Sequence, residues 1–139
     1  MIDIVIMKNP LDEWHPEEGD RQTDFGLEWD EVEEIQKFIN VPPSTIKQLK
    51  NEGYGNYQDR LKEEYLKTAT QNGYEMLGRI WYYYDDAVYQ SSEVNQLRNE
   101  CVKVINESQN SKLTMILNKI LTVCDDAMKT NSGLFFGCD

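Results

Sequence analysis

From Tyr74 to Ala127 the apolar residues recur every three or four positions, and this regularity constrains the fold more than any other feature of the chain. Tyr74, Leu77, Trp81, Tyr84 and Val88 form a first stripe over 74–90. Val94, Leu97, Cys101, Val104 and Ile105 form a second over 92–107. Leu113, Ile116, Leu117, Ile120, Cys124 and Ala127 form a third over 112–129. Side chains at such spacing share one face of a helix, so each stripe predicts an amphipathic helix that must bury that face. The joints between them are short and rich in Ser and Asn, which predicts antiparallel neighbours.

Upstream, Val32, Ile35, Phe38 and Ile39 predict a helix over 28–39, stopped by Val41-Pro42-Pro43. Ser44 is placed to cap a short helix carrying Ile46 and Leu49 and ended by Gly53. Tyr57, Leu61, Tyr65 and Ala69 predict a helix over 56–71, broken at Asn72-Gly73. Residues 2–8 read as a strand apolar on both faces. Residues 9–26 read as a long polar connection holding Leu11, Trp14 and Phe25. Leu134-Phe135-Phe136, bounded by Gly133 and Gly137, reads as a last short strand available to pair with the first. The expected class is therefore mainly α: a bundle of four to six helices with a minor sheet. A chain of 139 residues fits one domain with a self-sufficient core.

Charge is distributed unevenly. Residues 1–36 hold twelve of the 25 acids and two of the 14 bases, a net of -10; residues 37–139 have a net of -1. The domain thus reads as an acidic N-terminal quarter attached to a nearly neutral helical body. A field of one sign repels nucleic acid and anionic membrane and steers cationic partners. The alternative, a solvated face that only aids solubility, does not require one end to carry nearly all the charge.

No run approaches the ~20 apolar residues of a membrane span. Met1 to Met7 has no basic residues ahead of it and no small-residue cleavage site, so it reads as a strand rather than a signal peptide, which predicts a cytoplasmic protein. Cys101, Cys124 and Cys138 match no zinc spacing. The first two lie on apolar stripes, as buried free thiols do.

Catalytic machinery is not apparent. His15, in Trp14-His15-Pro16-Glu17-Glu18, is the only histidine, and neither a metal site nor a nucleophile–base pair can be completed around it. Gly53-Tyr54-Gly55 lacks the context of a phosphate loop. The one enzymatic alternative is magnesium-dependent nucleotide pyrophosphate hydrolysis by an all-α protein. Glu31-Val32-Glu33-Glu34 supplies its Glu-x-x-Glu, but no Glu-x-x-Asp follows downstream. No catalytic residue, metal ligand or cofactor is therefore expected. Trp81-Tyr82-Tyr83-Tyr84 would point in four directions on a helix. Some of its rings would then lie at the surface, where Tyr and Trp anchor protein interfaces, unless all pack in the core.

The stretch Leu97-Arg98-Asn99-Glu100-Cys101, the run Leu121-Thr122-Val123-Cys124-Asp125-Asp126-Ala127 and the tail Gly133-Leu134-Phe135-Phe136 accompany small size and an acidic patch. Together they resemble bacterial immunity proteins, which protect a cell from polymorphic or contact-dependent toxins. The resemblance is of class and transfers no individual residue. It implies a one-to-one complex with a toxin domain, commonly a basic nuclease. Charge alone leads to a basic protein partner, expected at Glu17, Glu18, Asp20, Glu28, Glu31 and Glu34, with Trp14, Tyr82 or Tyr83 as apolar anchor. A phage-type inhibitor that mimics nucleic acid with its acids is the other binding alternative.

Overall fold

The computed structural model describes residues 2–10, 20–39, 56–80 and 86–138. In order, these form β1 (Ile2–Met7), β2 (Arg21–Leu27), α1 (Trp29–Phe38), α2 (Asn56–Gln71), a single 3-10 turn (Leu77–Arg79), β3 (Ala87–Tyr89), α3 (Val94–Glu107), α4 (Ser111–Lys129) and β4 (Gly133–Cys138). The expected short helix over 44–53 lies outside the described residues.

The strands form one four-stranded antiparallel sheet in the order β2-β1-β4-β3. This corrects the mainly α bundle to a mixed α/β fold. The first and last strands do pair, Ile2 with Cys138 through Met7 with Gly133, but as the centre of the sheet rather than a minor annex. The reason lies in β1 itself. Ile2, Ile4, Val5, Ile6 and Met7 are all buried, and a strand buried on both faces belongs inside a sheet. Paired registers keep the faces consistent. Ile4, Phe136 and Ala87 lie side by side, as do Ile6, Leu134 and Tyr89, and all six enter the main core with the helices. Val5, Phe135 and Val88 share the opposite face and form a second small cluster with Met7.

Two strands occupy segments that the periodicity assigned otherwise. β2 begins within the expected 9–26 loop and runs one residue past it, to Leu27. Its pairing with β1 slips between Asp3–Gly26 and Val5–Gln22, so β2 carries extra residues there. The Thr23 hydroxyl donates to the Ile4 carbonyl at 3.0 Å beside that irregularity. The predicted helix over 74–90 is absent. In its place stand the 3-10 turn, the three-residue β3 and residues 81–85, which lie outside the described residues. Tyr74, Leu77 and Val88 do fall on a helical period, but Val88 faces the other side of the sheet from Ala87 and Tyr89.

The remaining helices stand close to their predicted bounds. At the start of α1 the Glu28 N–H donates to Glu31 Oε1 at 3.0 Å, one arm of a capping box. Gly73, at φ 88°, ends α2 in a Schellman turn: Tyr74 N–H reaches the Ala69 carbonyl and Gly73 N–H that of Thr70. The Asn110 side chain caps α4 by accepting from Lys112 N–H and Leu113 N–H. Asn131, at φ 53°, closes α4 with the same Schellman pattern, Ser132 N–H to Ala127 and Asn131 N–H to Met128, and turns the chain into β4. α4 packs on α1, α3 and strands β1, β2 and β4, so Leu113, Ile116, Leu117, Ile120, Val123 and Cys124 form the spine of the core.

Candidate functional site

The acidic quarter meets the helical body where the start of α1 crosses α4. An open groove of about 260 Å³ runs there, lined by Glu28, Asp30 and Glu31 on one wall and Lys112, Met115, Ile116 and Lys119 on the other. Ile116 is buried and supplies the floor; Met115 is 69% exposed, an unusual position for a large apolar side chain. Each stripe residue of α4 points to the core, and Met115 lies off that stripe, which is why helical periodicity passes it over.

The polar side chains of the groove differ in how firmly they are held. Lys119 Nζ donates to Glu31 Oε2 at 2.8 Å, while Glu31 Oε1 accepts from Glu28 N–H. Both oxygens of Glu31 are thus engaged, its side chain is 14% exposed, and it ties α1 to α4. Lys112 and Asp30 are 3.5 Å apart, with side chains 56% and 68% exposed, a loose solvated contact. Glu28 is exposed.

The expected contact residues are therefore not alike. Glu28 and Glu31 come together in the groove, and Asp30, not singled out from the sequence, joins them. Glu34 sits one turn along α1, 3.7 Å from Lys37. Asp20 precedes β2 and accepts the Lys8 N–H at 3.0 Å, which fastens the connection between β1 and β2. Trp14, Glu17, Glu18, Tyr82 and Tyr83 lie outside the described residues, as do His15, Trp81, Tyr84 and Gly53 to Gly55.

A second polar cluster lies along the first half of α3. Glu100 is 6% exposed. Its carboxylate accepts from Met76 N–H and Leu77 N–H at 3.0 Å and from Gln96 Nε2 at 3.2 Å, which caps the 3-10 turn. Burial raises its pKa against those hydrogen bonds. Arg79 grips Glu93 with both terminal nitrogens, at 2.6 and 3.1 Å, donates to the Val88 carbonyl, and lies over the Tyr89 ring. Tyr89 donates its hydroxyl to the Met76 carbonyl. Glu100, Arg79 and Glu93 each serve a neighbour in the fold.

The thiols of Cys101 and Cys124 are held in the neutral form. Cys101 and Cys124 are buried and unpaired; burial pushes Cys124 up to about 12 and Cys101 well above its ordinary value, so neither supplies a thiolate. Among the described residues no three His, Cys, Asp or Glu side chains converge as a metal site, and no helix is long and apolar enough to cross a membrane. Asp125 and Asp126 contact Arg98 at 2.8 Å and Lys129 at 3.7 Å. No protein-family model, curated protein or solved structure matches the chain.

Proposed function

We propose that this protein is an inhibitory partner of the immunity type, which engages a basic toxin domain in the cytoplasm through its acidic N-terminal quarter. The observation that carries the reading is the net charge of -10 in residues 1–36, together with the exposure of Glu28 and Asp30 beside Met115. Solvated acids around one exposed apolar group resemble an interface core with a charged rim. The Glu-x-x-Glu of the hydrolase alternative has its first carboxylate engaged by Lys119 and the Glu28 N–H, which speaks for the binding reading.

The test is co-expression with the protein encoded directly upstream of this chain. Relief of that protein's toxicity, with an association rate that falls steeply with salt, is the expected result. Two double variants, Glu17→Lys with Glu18→Lys and Glu28→Lys with Asp30→Lys, leave the Lys8–Asp20 and Lys119–Glu31 contacts intact, although the second removes the Glu28 side-chain arm of the capping box. At least one pair should slow association roughly tenfold or more at low salt, since rim charges act chiefly on encounter. Unchanged association and an unchanged salt slope in both would reduce the acidic quarter to a solubility device.

A further inference from the structure

The groove between α1 and α4 brings an exposed large apolar side chain and loosely held charges into one cavity. Its size matches one or two side chains, below the ~300–1,000 Å³ of small-ligand sites. Its two ion pairs have different standing. Lys119–Glu31 is short and half-buried and holds the walls together. Lys112–Asp30 is long and solvated, the kind of pair that contributes almost nothing and exchanges readily. The lining itself, three acids against two lysines, has a net charge of -1, which disfavours an anionic occupant.

We propose that this groove is a socket for an arginine side chain presented by the partner protein. The incoming guanidinium displaces Lys112 from Asp30 and takes Asp30 and Glu28 as its acceptors, while its aliphatic stem lies along Met115 over Ile116. Arginine suits the place better than lysine. Its planar fork bonds carboxylates through several N–H groups at once, and it is more weakly hydrated than an ammonium. Methionine suits the stem, because its unbranched thioether adapts to irregular apolar surfaces.

The inference rests on the reading of the chain as a binder of a basic partner, but its test needs no toxin. The probes are blocked tripeptides, acetyl-Gly-Arg-Gly-amide with Lys and Glu counterparts, titrated into the intact protein with methionine methyl groups observed by NMR. The arginine peptide should shift the Met115 methyl saturably, the lysine peptide more weakly, and the glutamate peptide not at all. Lys112→Gln removes the competing cation and should tighten arginine binding roughly two- to fivefold, the worth of an exposed ion pair. Lys129→Gln makes the same change of net charge away from the groove and should leave it unaltered. Asp30→Asn should abolish saturation while the circular dichroism spectrum stays that of the parent. No saturable shift at Met115, equal responses to arginine and lysine, or identical effects of Lys112→Gln and Lys129→Gln would each overturn the socket. If the socket fails while Glu17→Lys with Glu18→Lys still slows toxin association, the immunity reading stands without it. If the socket binds arginine and neither pair of charge reversals matters, the immunity reading falls alone.

Discussion

Lys119 Nζ lies 2.8 Å from Glu31 Oε2, a contact between residues 88 apart in sequence that pins the first turn of the acidic helix α1 to the middle of α4. One carboxylate thereby serves two elements, since its other oxygen caps α1 through Glu28 N–H. Glu31→Gln keeps the cap and loses the charge pair. It should cost about 1–2 kcal/mol, in the range of a half-buried charge-assisted hydrogen bond. In a urea-unfolding cycle with Lys119→Met the coupling should be roughly 0.5–2 kcal/mol. Additive costs would mean that the two side chains do not hold the helices together.

Glu100 is the buried carboxylate on which the 3-10 turn depends. Glu100→Ala leaves Met76 N–H and Leu77 N–H without their acceptor in a largely buried site. A loss of about 2–4 kcal/mol is expected, from two amides at ~1–3 kcal/mol each with partial rescue by water. Hydrogen exchange should quicken at those two amides more than in α4. Protection that stays uniform would show the cap to be incidental.

Asn131 occupies a left-handed conformation at the end of α4, with φ 53°. Asn131→Gly should raise stability slightly, by a few tenths of a kcal/mol, because glycine adopts that conformation without steric cost. Asn131→Ala should lower it by about 1 kcal/mol. Thermal melts of the two variants should therefore bracket the parent. Alanine matching glycine would mean that the Schellman turn is not what aligns β4 with β1.

The Arg79 guanidinium holds the Glu93 carboxyl below its ordinary value of 4.5. A depressed carboxylate contributes stability that is complete above the unfolded value and is lost as pH falls through the folded one. Glu93→Gln should therefore cost most at neutral pH, and its gap from the parent should close as the pH drops below 4.5. Urea midpoints measured across that window check the sign. A gap that widens in acid would show that the pair does not stabilise through charge.

Hydrolysis provides the last measurement. Purified protein with magnesium or manganese should turn over no nucleoside triphosphate. Turnover abolished by Glu34→Gln would revive the hydrolase alternative, because Glu34 is the member of the Glu-x-x-Glu pair that the α1–α4 contact leaves out.

Local regularity in the sequence determined the helices. The stripes of α3 and α4, the break at Asn72-Gly73 and the acidic start of α1 all reflect neighbours within a turn or two of one another. Burial of Cys101 and Cys124 followed from the same stripes. The apolar run of β1 and its partner at Leu134 to Phe136 were legible because so short and so apolar a segment is satisfied inside a sheet. Tertiary structure alone decided the rest. Arg21-Gln22-Thr23-Asp24-Phe25-Gly26-Leu27 carries weak strand propensity and becomes β2 only because β1 offers it a ladder. Ala87-Val88-Tyr89 fitted a helical stripe by spacing, yet it pairs with β4 and places Val88 opposite its neighbours, a distinction periodicity cannot make in so short a run. The candidate groove shows the same limit. The concentration of acids was visible in the chain, but which acids remain exposed was set by Lys119, Lys112 and Met115, residues about 80 positions away that only packing brings beside α1.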